Sequence, residues 1–374
     1  VKRQLYFERL RYFHDWGWLG FALVFALLLM WPNTARLAPS SGYDAEMPAL
    51  QELMKADTKQ QEKAPAKADA KGARPTQEDL RKEQDQLYDL TAAIENQASP
   101  WRLTQLMYRL RRSMVAQINA GRVYVDSGGT PMDVLPARED AAVLKILVRR
   151  HQVFMPAAAT NLPASLALAR TLQRGVPALW LLLFIAVWSS YYLIWDKRSR
   201  VGEFTALVPL RQGTILLAKQ VVFWVIASAT TITVFALALV IPVLTSGVGD
   251  ARYPLAFSPT GQAIQVMTAG RFVLLFLLSI LALLAFMAAV NSLLQQLIGN
   301  YFVVLLLLMA LCVAGPTLQL GSFAPFAYLD PAATLLPQGN SGILTPGWGP
   351  VILAGWAALL GTVSLIVAAR RQRL

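Results

Sequence analysis

Cysteine is almost missing from this chain. Cys312 stands alone among 374 residues, which excludes an internal disulfide. It sits in an apolar run, where a lone thiol reads as a small buried hydrophobe. Histidine is scarce as well. With only His14 and His151 and no second cysteine, a zinc cluster has no ligand set. Charge is thin, at 15% of residues against roughly 25% in soluble domains, while hydrophobic residues reach 55%. The charge is also confined. Asn33–Arg174 holds 20 Lys/Arg and 16 Asp/Glu, and the other 232 residues hold 14 and 6. That distribution describes a membrane body with one polar domain inserted into it. The basic surplus lies beside apolar runs and not on a folded basic face, so nucleic acid is not an expected partner.

Two further absences bear on the source of energy. No G-x-x-x-x-G-K-[ST] loop occurs, so any use of ATP requires another subunit. The apolar runs contain essentially no Asp, Glu, Lys or Arg, which argues against a proton-driven carrier and against acid/base chemistry inside the bilayer. Neutral polar residues appear there instead: Ser189, Ser190, Ser228, Thr230, Thr231 and Thr233. Their first role is hydrogen bonding between helices, ahead of lining a path for substrate.

What the chain does have is long apolar runs. About 20 mostly apolar residues cross a bilayer as a helix. Six stretches qualify: Trp16–Trp31, Val176–Trp195, Val221–Leu244, Phe272–Leu297, Tyr301–Leu318 and Val351–Ala369. The first reads as a retained helix and not a signal peptide, because Pro32-Asn33-Thr34-Ala35-Arg36 makes a poor cleavage site. Basic residues cluster before the first run (Lys2, Arg3, Arg9, Arg11), after the second (Lys197, Arg198, Arg200, Arg211, Lys219) and after the sixth (Arg370, Arg371, Arg373). Six crossings put all three clusters on one side, the cytoplasm. Trp16, Trp18, Trp31, Trp180, Trp188 and Trp195 mark the edges of the first two runs, as interfacial rings do. Ahead of the first run, Tyr6, Leu10 and Phe13 share one helical face opposite Gln4, Glu8 and Arg11, the pattern of a helix lying in the inner interface. A plain basic flank fits the same residues.

The expected fold is therefore an all-α polytopic membrane protein, six transmembrane helices plus a mostly helical extracytoplasmic domain between helices 1 and 2. Residues 1–15 form the interfacial N-terminal helix and 16–32 the first span. Residues 33–174 form the outer domain, and 175–374 carry spans two to six. Within the outer domain, 55–75 is Lys/Ala/Asp/Gln-rich low-complexity sequence and reads as a flexible linker. Thr76–Asn96 reads as a helix with Leu80, Leu87, Leu90 and Ile94 on one stripe. A second helix follows Ser99-Pro100, with Leu103, Leu106 and Leu110 in register. Val123-Tyr124-Val125 suggests a short strand, and Ala137–Val153 a last helix with Val143, Ile146 and Leu147 inward. No paired catalytic carboxylates or nucleophile-with-base arrangement stands out.

The most informative stretch is Asp196–Gln220, DKRSRVGEFTALVPLRQGTILLAKQ, which follows the second run. It suits a short interfacial helix broken at Pro209. This segment resembles the permease subunits of type-2 ABC (ATP-binding-cassette) exporters. There, an acidic residue, small residues, a Leu, a Pro and a basic residue lead to a Lys that opens the next span. The resemblance places those roles on Glu203, Thr205, Leu207, Pro209, Arg211 and Lys219, as the segment coupling to an ATPase. Phe204-Thr205 stands where the family has Gly-Thr. Pro325-Phe326-Ala327-Tyr328-Leu329-Asp330-Pro331 is similar to the family's aromatic-Leu-x-Pro segment in the outer half of the membrane, so Pro325, Phe326, Tyr328 and Pro331 form an outer-gate segment.

The resemblance covers the membrane body and not the insert. It implies a permease with no cofactor and no catalysis of its own, paired with a second permease chain. Cytosolic ATPase subunits supply ATP and magnesium chemistry, and lipid surrounds the spans. The cargo would be an amphiphile such as an antimicrobial peptide, antibiotic or lipid, exported across a bacterial cell membrane, with both termini cytoplasmic. Two other functions fit the sequence: a membrane-anchored sensor or accessory protein whose outer domain binds a ligand, and an enzyme acting on lipid-linked substrates through outer acids such as Asp250 or Asp330.

Overall fold

The structure is a computed structural model. It describes residues 2–14, 16–34, 42–61, 77–120, 122–124, 133–156, 159, 162–198, 212–260, 263–315, 318, 321–337 and 347–371. Helices dominate. α1 (Lys2–His14) and α2 (Gly17–Thr34) open the chain, followed by α3 (Met47–Gln61), α4 (Gln77–Glu95), α5 (Pro100–Asn119) and α6 (Leu135–Arg149). Then come α7 (Ala164–Arg170), a π-helical turn over Thr171–Gly175, α8 (Ala178–Arg198) and α9 (Gln212–Ser246). A two-stranded antiparallel hairpin, β1 (Pro254–Phe257) and β2 (Gln265–Thr268), precedes α10 (Ala269–Ile298) and α11 (Tyr301–Ala314). A 3₁₀ turn (Pro325–Tyr328), α12 (Pro331–Leu335) and α13 (Trp348–Arg371) complete it.

All six expected apolar positions carry helices, and the all-α class holds apart from the hairpin. Length separates those helices. α9, α10 and α13 are each long and apolar enough to cross a membrane alone. At 1.5 Å per residue they run about 52, 45 and 36 Å, against a hydrocarbon core of about 30 Å. α1–α2 and α7–α8 are pairs bent by 67° and 85°, and counting each pair as one crossing raises the total to five. α11 has only 14 residues, about 21 Å. The apolar run there extends in sequence to Leu318, but the helix ends at Ala314; the Gly315 amide still bonds to the Leu311 carbonyl, and the next residue in sequence is a proline, which has no N–H to give.

Local chemistry sets several boundaries. The Thr268 hydroxyl accepts from the Arg271 amide at the start of α10. Gly299 closes that helix in the left-handed region at φ 72°, where a glycine carries no Cβ penalty. Asn300 then caps α11 through the Phe302 amide at 3.0 Å. Ser99 caps α5, with Pro100 in its first turn. α10 is the central helix of the body. It packs on α7, α8, α9, α11, α12 and α13, and Phe272, Leu283, Leu284 and Met287 on it are fully buried.

The insert packs in chain order, α3 on α4, α4 on α5 and α5 on α6. Its core gathers Leu50, Leu53, Leu87, Leu90, Ile94, Leu103, Met107 and Leu110. Residues 55–61, expected to open the flexible linker, are the end of α3 instead, with Leu53 and Ala56 buried; residues 62–76 lie outside those described. The strand expected at Val123 is not formed: residues 122–124 have no regular structure, and Val125 lies outside those described. α6 joins the two halves. Leu144 enters the insert core, whereas Val143 and Leu147 enter the core of the membrane body.

Candidate functional site

Of the residues expected to couple to an ATPase, Glu203, Thr205, Leu207, Pro209 and Arg211 lie outside the described residues. Lys219 is placed on α9, half-buried in its second turn. The start of α9 meets the end of α13. The Gln220 side chain donates to the Ser364 hydroxyl at 3.2 Å, and a Cβ on Gly213 would meet the Leu365 carbonyl at 3.6 Å. α1 packs against α9 as well, so α1, the start of α9 and the end of α13 gather at one end of the bundle.

α1 is oriented by its polar face. Glu8 is 0% exposed, takes a hydrogen bond from Gln4 at 3.2 Å and one from the Tyr192 hydroxyl at 3.5 Å, while the Trp188 indole donates to Tyr12 at 3.2 Å. Tyr6, Phe7, Leu10 and Phe13 point outward. A helix with its polar face packed on the bundle and its aromatic face outside suits an interfacial position.

The outer-gate residues come together. Pro325, Tyr328 and Pro331 are buried and Phe326 is half-buried. The Tyr328 hydroxyl donates to the Ser322 carbonyl at 2.6 Å. A Cβ on Gly349 would sit 3.1 Å from the Tyr328 ring, so α13 approaches this turn closely. Asp330 caps α12, accepting from the Ala332 and Ala333 amides at 3.0 and 3.1 Å.

A buried polar contact joins α8 to α10 through Ser189 and Ser190, as expected of them; their partner Asn291 is missed by the sequence. Asn291, fully buried, donates to Ser190 at 3.2 Å and Ser189 at 3.5 Å, and receives Gln295 at 3.0 Å. Ser228 and Thr231 on α9 keep buried hydroxyls without a hydrogen-bond partner, and Thr233 bonds its own helix at Ala229.

The second feature missed by the sequence is a cavity of about 140 Å³ between the insert and the body. α6 contributes Glu139, Asp140 and Val143. The end of α7 and the π-turn contribute Arg170, Gln173 and Arg174, and the hairpin region contributes Tyr253 to Ala256. Burial pushes the Glu139 carboxyl above its ordinary range, helped by Asp140 and Asp133 and opposed by Arg174. Burial also raises Asp140, which Arg111 (3.5 Å away) and Arg174 pull back. Glu46 is raised for the same first reason, with Arg111 opposing. Arg170 spends its guanidinium on the carbonyls of Met155 and Pro156.

A strap beside this cavity ties the halves together. Arg150 donates to the Arg252 carbonyl at 2.9 Å, Gln152 to Asp250, the Met155 amide to the Tyr253 hydroxyl at 3.1 Å and Ser165 to the Asp250 carbonyl at 3.3 Å. Among the described residues, no group of three or more His, Cys, Asp or Glu is placed to hold a metal ion. Set against protein-family models, curated proteins and solved structures, the chain matches none.

Proposed function

We propose that the chain is the transmembrane permease subunit of an ATP-driven exporter, with six crossings, cytoplasmic termini and an extracytoplasmic insert. The observation that carries this reading is the charged connector Asp196–Gln220, set between two apolar helices, in a body whose apolar helices hold almost no ionisable groups. Such a body has no relay for protons, so work must enter from outside the bilayer, and the connector is the segment suited to receive it. Support comes from the packing of α1, the start of α9 and the end of α13 at one end of the bundle, which surrounds the place where a cytosolic ATPase would bear. Paired permease chains would rock when the ATPases close, moving an amphiphile outward.

The test is a mild-detergent pull-down of the tagged protein from its native membrane, with mass spectrometry of the partners. A stoichiometric ATPase subunit, lost with Glu203→Lys or Arg211→Glu, is expected. Recovery without an ATPase, under conditions that keep other membrane complexes intact, would sink this reading. The cavity at the insert favours a second one, a ligand-sensing outer domain. An enzyme using Asp250 or Asp330 gains less support, because both carboxylates already accept backbone amides in local turns.

A further inference from the structure

Two side chains facing the cavity between insert and body stand out by what they lack. Glu139 Oε1 is shielded from solvent and has no hydrogen-bond partner among the described residues. An unsatisfied buried carboxylate oxygen is costly, so such an atom in a native fold calls for a partner. Across the same cavity Arg174 is exposed and forms no ion pair among the described residues. Its neighbours are already committed: Asp140 to Arg111, and Arg170 to two carbonyls. One wall therefore offers negative charge and the other a planar cation, with Phe154, Met155, Tyr253 and Leu255 among the remaining lining.

The volume limits what fits. About 140 Å³, where roughly 10–15 Å³ of such space already holds a water, has room for a headgroup-sized molecule. A lone cation would leave Arg174 unanswered, and a lone anion would face two carboxylates. We propose that this cavity binds a small zwitterion, its primary ammonium held by Glu139 and its anionic group by Arg174, as a phosphoethanolamine unit would be. The unit could arrive on an aminophospholipid or as a free solute. Because the lining comes from α6, the π-turn and the hairpin region together, an occupant would hold the insert onto the membrane body. Binding at this site requires no ATPase, so it stands apart from the export reading.

The experiment uses the full chain in phosphatidylcholine nanodiscs. Binding of O-phosphoethanolamine is followed by calorimetry and compared with phosphocholine, whose quaternary nitrogen has no N–H to donate. A second arm replaces part of the lipid with phosphatidylethanolamine and reads retained lipid by native mass spectrometry. Saturable binding of the soluble probe, weakened about tenfold or more by Glu139→Gln and by Arg174→Gln, supports a solute site; the loss matches one charge-assisted hydrogen bond. Retention of phosphatidylethanolamine alone, lost in the same variants, supports a lipid-headgroup site. Arg174 lies on the exposed side, so its variant keeps the test alive if Glu139→Gln fails to fold. Equal binding by parent and variants, equal binding of phosphocholine, or no binding in either arm would overturn the proposal.

Discussion

At the scale of single residues, the insert carries one ion pair that its stability leans on. Arg122 is bonded to Glu83, with the two side chains only 3% and 0% exposed. Tyr124 donates to Glu83 at 3.0 Å, and the Arg122 guanidinium lies 4.2 Å from the Tyr124 ring centre. Removing one partner strands the other charge away from water, so Glu83→Ala should cost about 3–5 kcal/mol. Limited proteolysis of the full chain should show the insert cut first, with the body spared. A variant as resistant as the parent would remove the pair from the account. This cluster also explains the missing strand at Val123: the Tyr124 side chain is drawn to a buried acid 41 residues earlier. Nothing in the alternation of Val123-Tyr124-Val125 reports that acid.

A second residue-scale prediction concerns Gly249. Its φ of +71° strains any other residue, and a Cβ there would lie 2.1 Å from the Pro163 Cβ. Gly247 has a similar φ of +77° but open space around it. Gly249→Ala should therefore lower the melting temperature clearly more than Gly247→Ala, the backbone alone costing about 1–3 kcal/mol in each. Equal shifts would mean that Pro163 yields without cost.

At the scale of elements, α6 meets the body through carboxyls that burial has pushed upward. Glu139 and Asp140 are raised above their unfolded ranges, and so is Glu46, in the turn at Asp44–Glu46 before α3. A group raised on folding stabilises the fold most below its unfolded pKa, and that contribution is lost as pH rises through the folded value. Acidification from neutral towards the ordinary carboxylate range, about pH 4, should thus tighten the junction and add stability to the full chain. Glu139→Gln with Asp140→Asn should flatten that gain. A melting temperature that falls steadily over this range in the parent would contradict the assignment.

The elements also show what a linear reading can and cannot reach. Apolar runs located all six apolar helices, but α9 begins at Gln212 and not Val221, and α11 stops at Ala314 and not Leu318, because an apolar run does not report where the backbone ladder starts and stops. The stripe Leu80, Leu87, Leu90 and Ile94 is buried as its spacing required. The hairpin at Pro254–Thr268 escaped notice because its strands have four residues each and no strict alternation. Ser189 and Ser190 bond between helices as read, but their partner Asn291 escaped for another reason: a single amide in an apolar run carries no periodicity. The cavity draws on residues 139, 174 and 253, a separation over which no spacing rule operates.

At the scale of the whole molecule, sidedness is the property that unites the proposals. Cys312 is the sole thiol and is buried, so Cys312→Ser gives a clean background for single-cysteine mapping. Glu95→Cys on the exposed face of the insert should react with an impermeant maleimide on intact cells. Gln212→Cys and Arg370→Cys should react only after permeabilisation. Labelling of Arg370→Cys from outside would overturn the proposed six-span arrangement with cytoplasmic termini.

The strap at Gly247–Tyr253 has a practical consequence for anyone who wants to learn what the insert does by cutting it out. The insert is joined to the body by its two covalent ends and by a third attachment, through Arg150, Gln152 and Met155. Excision takes away the Gln152 contact of Asp250 and the partners of the Arg252 carbonyl and of the Tyr253 hydroxyl in one stroke. The same loop answers the Ala164 and Ser165 amides through the carbonyls of Gly247 and Val248, and caps the entrance to α10 through those of Ala251 and Tyr253. A shortened protein would thus carry a reshaped loop where two long helices begin and end. Its phenotype would report on that loop as much as on the missing domain, and point changes at Arg150 and Gln152 are the cleaner knife.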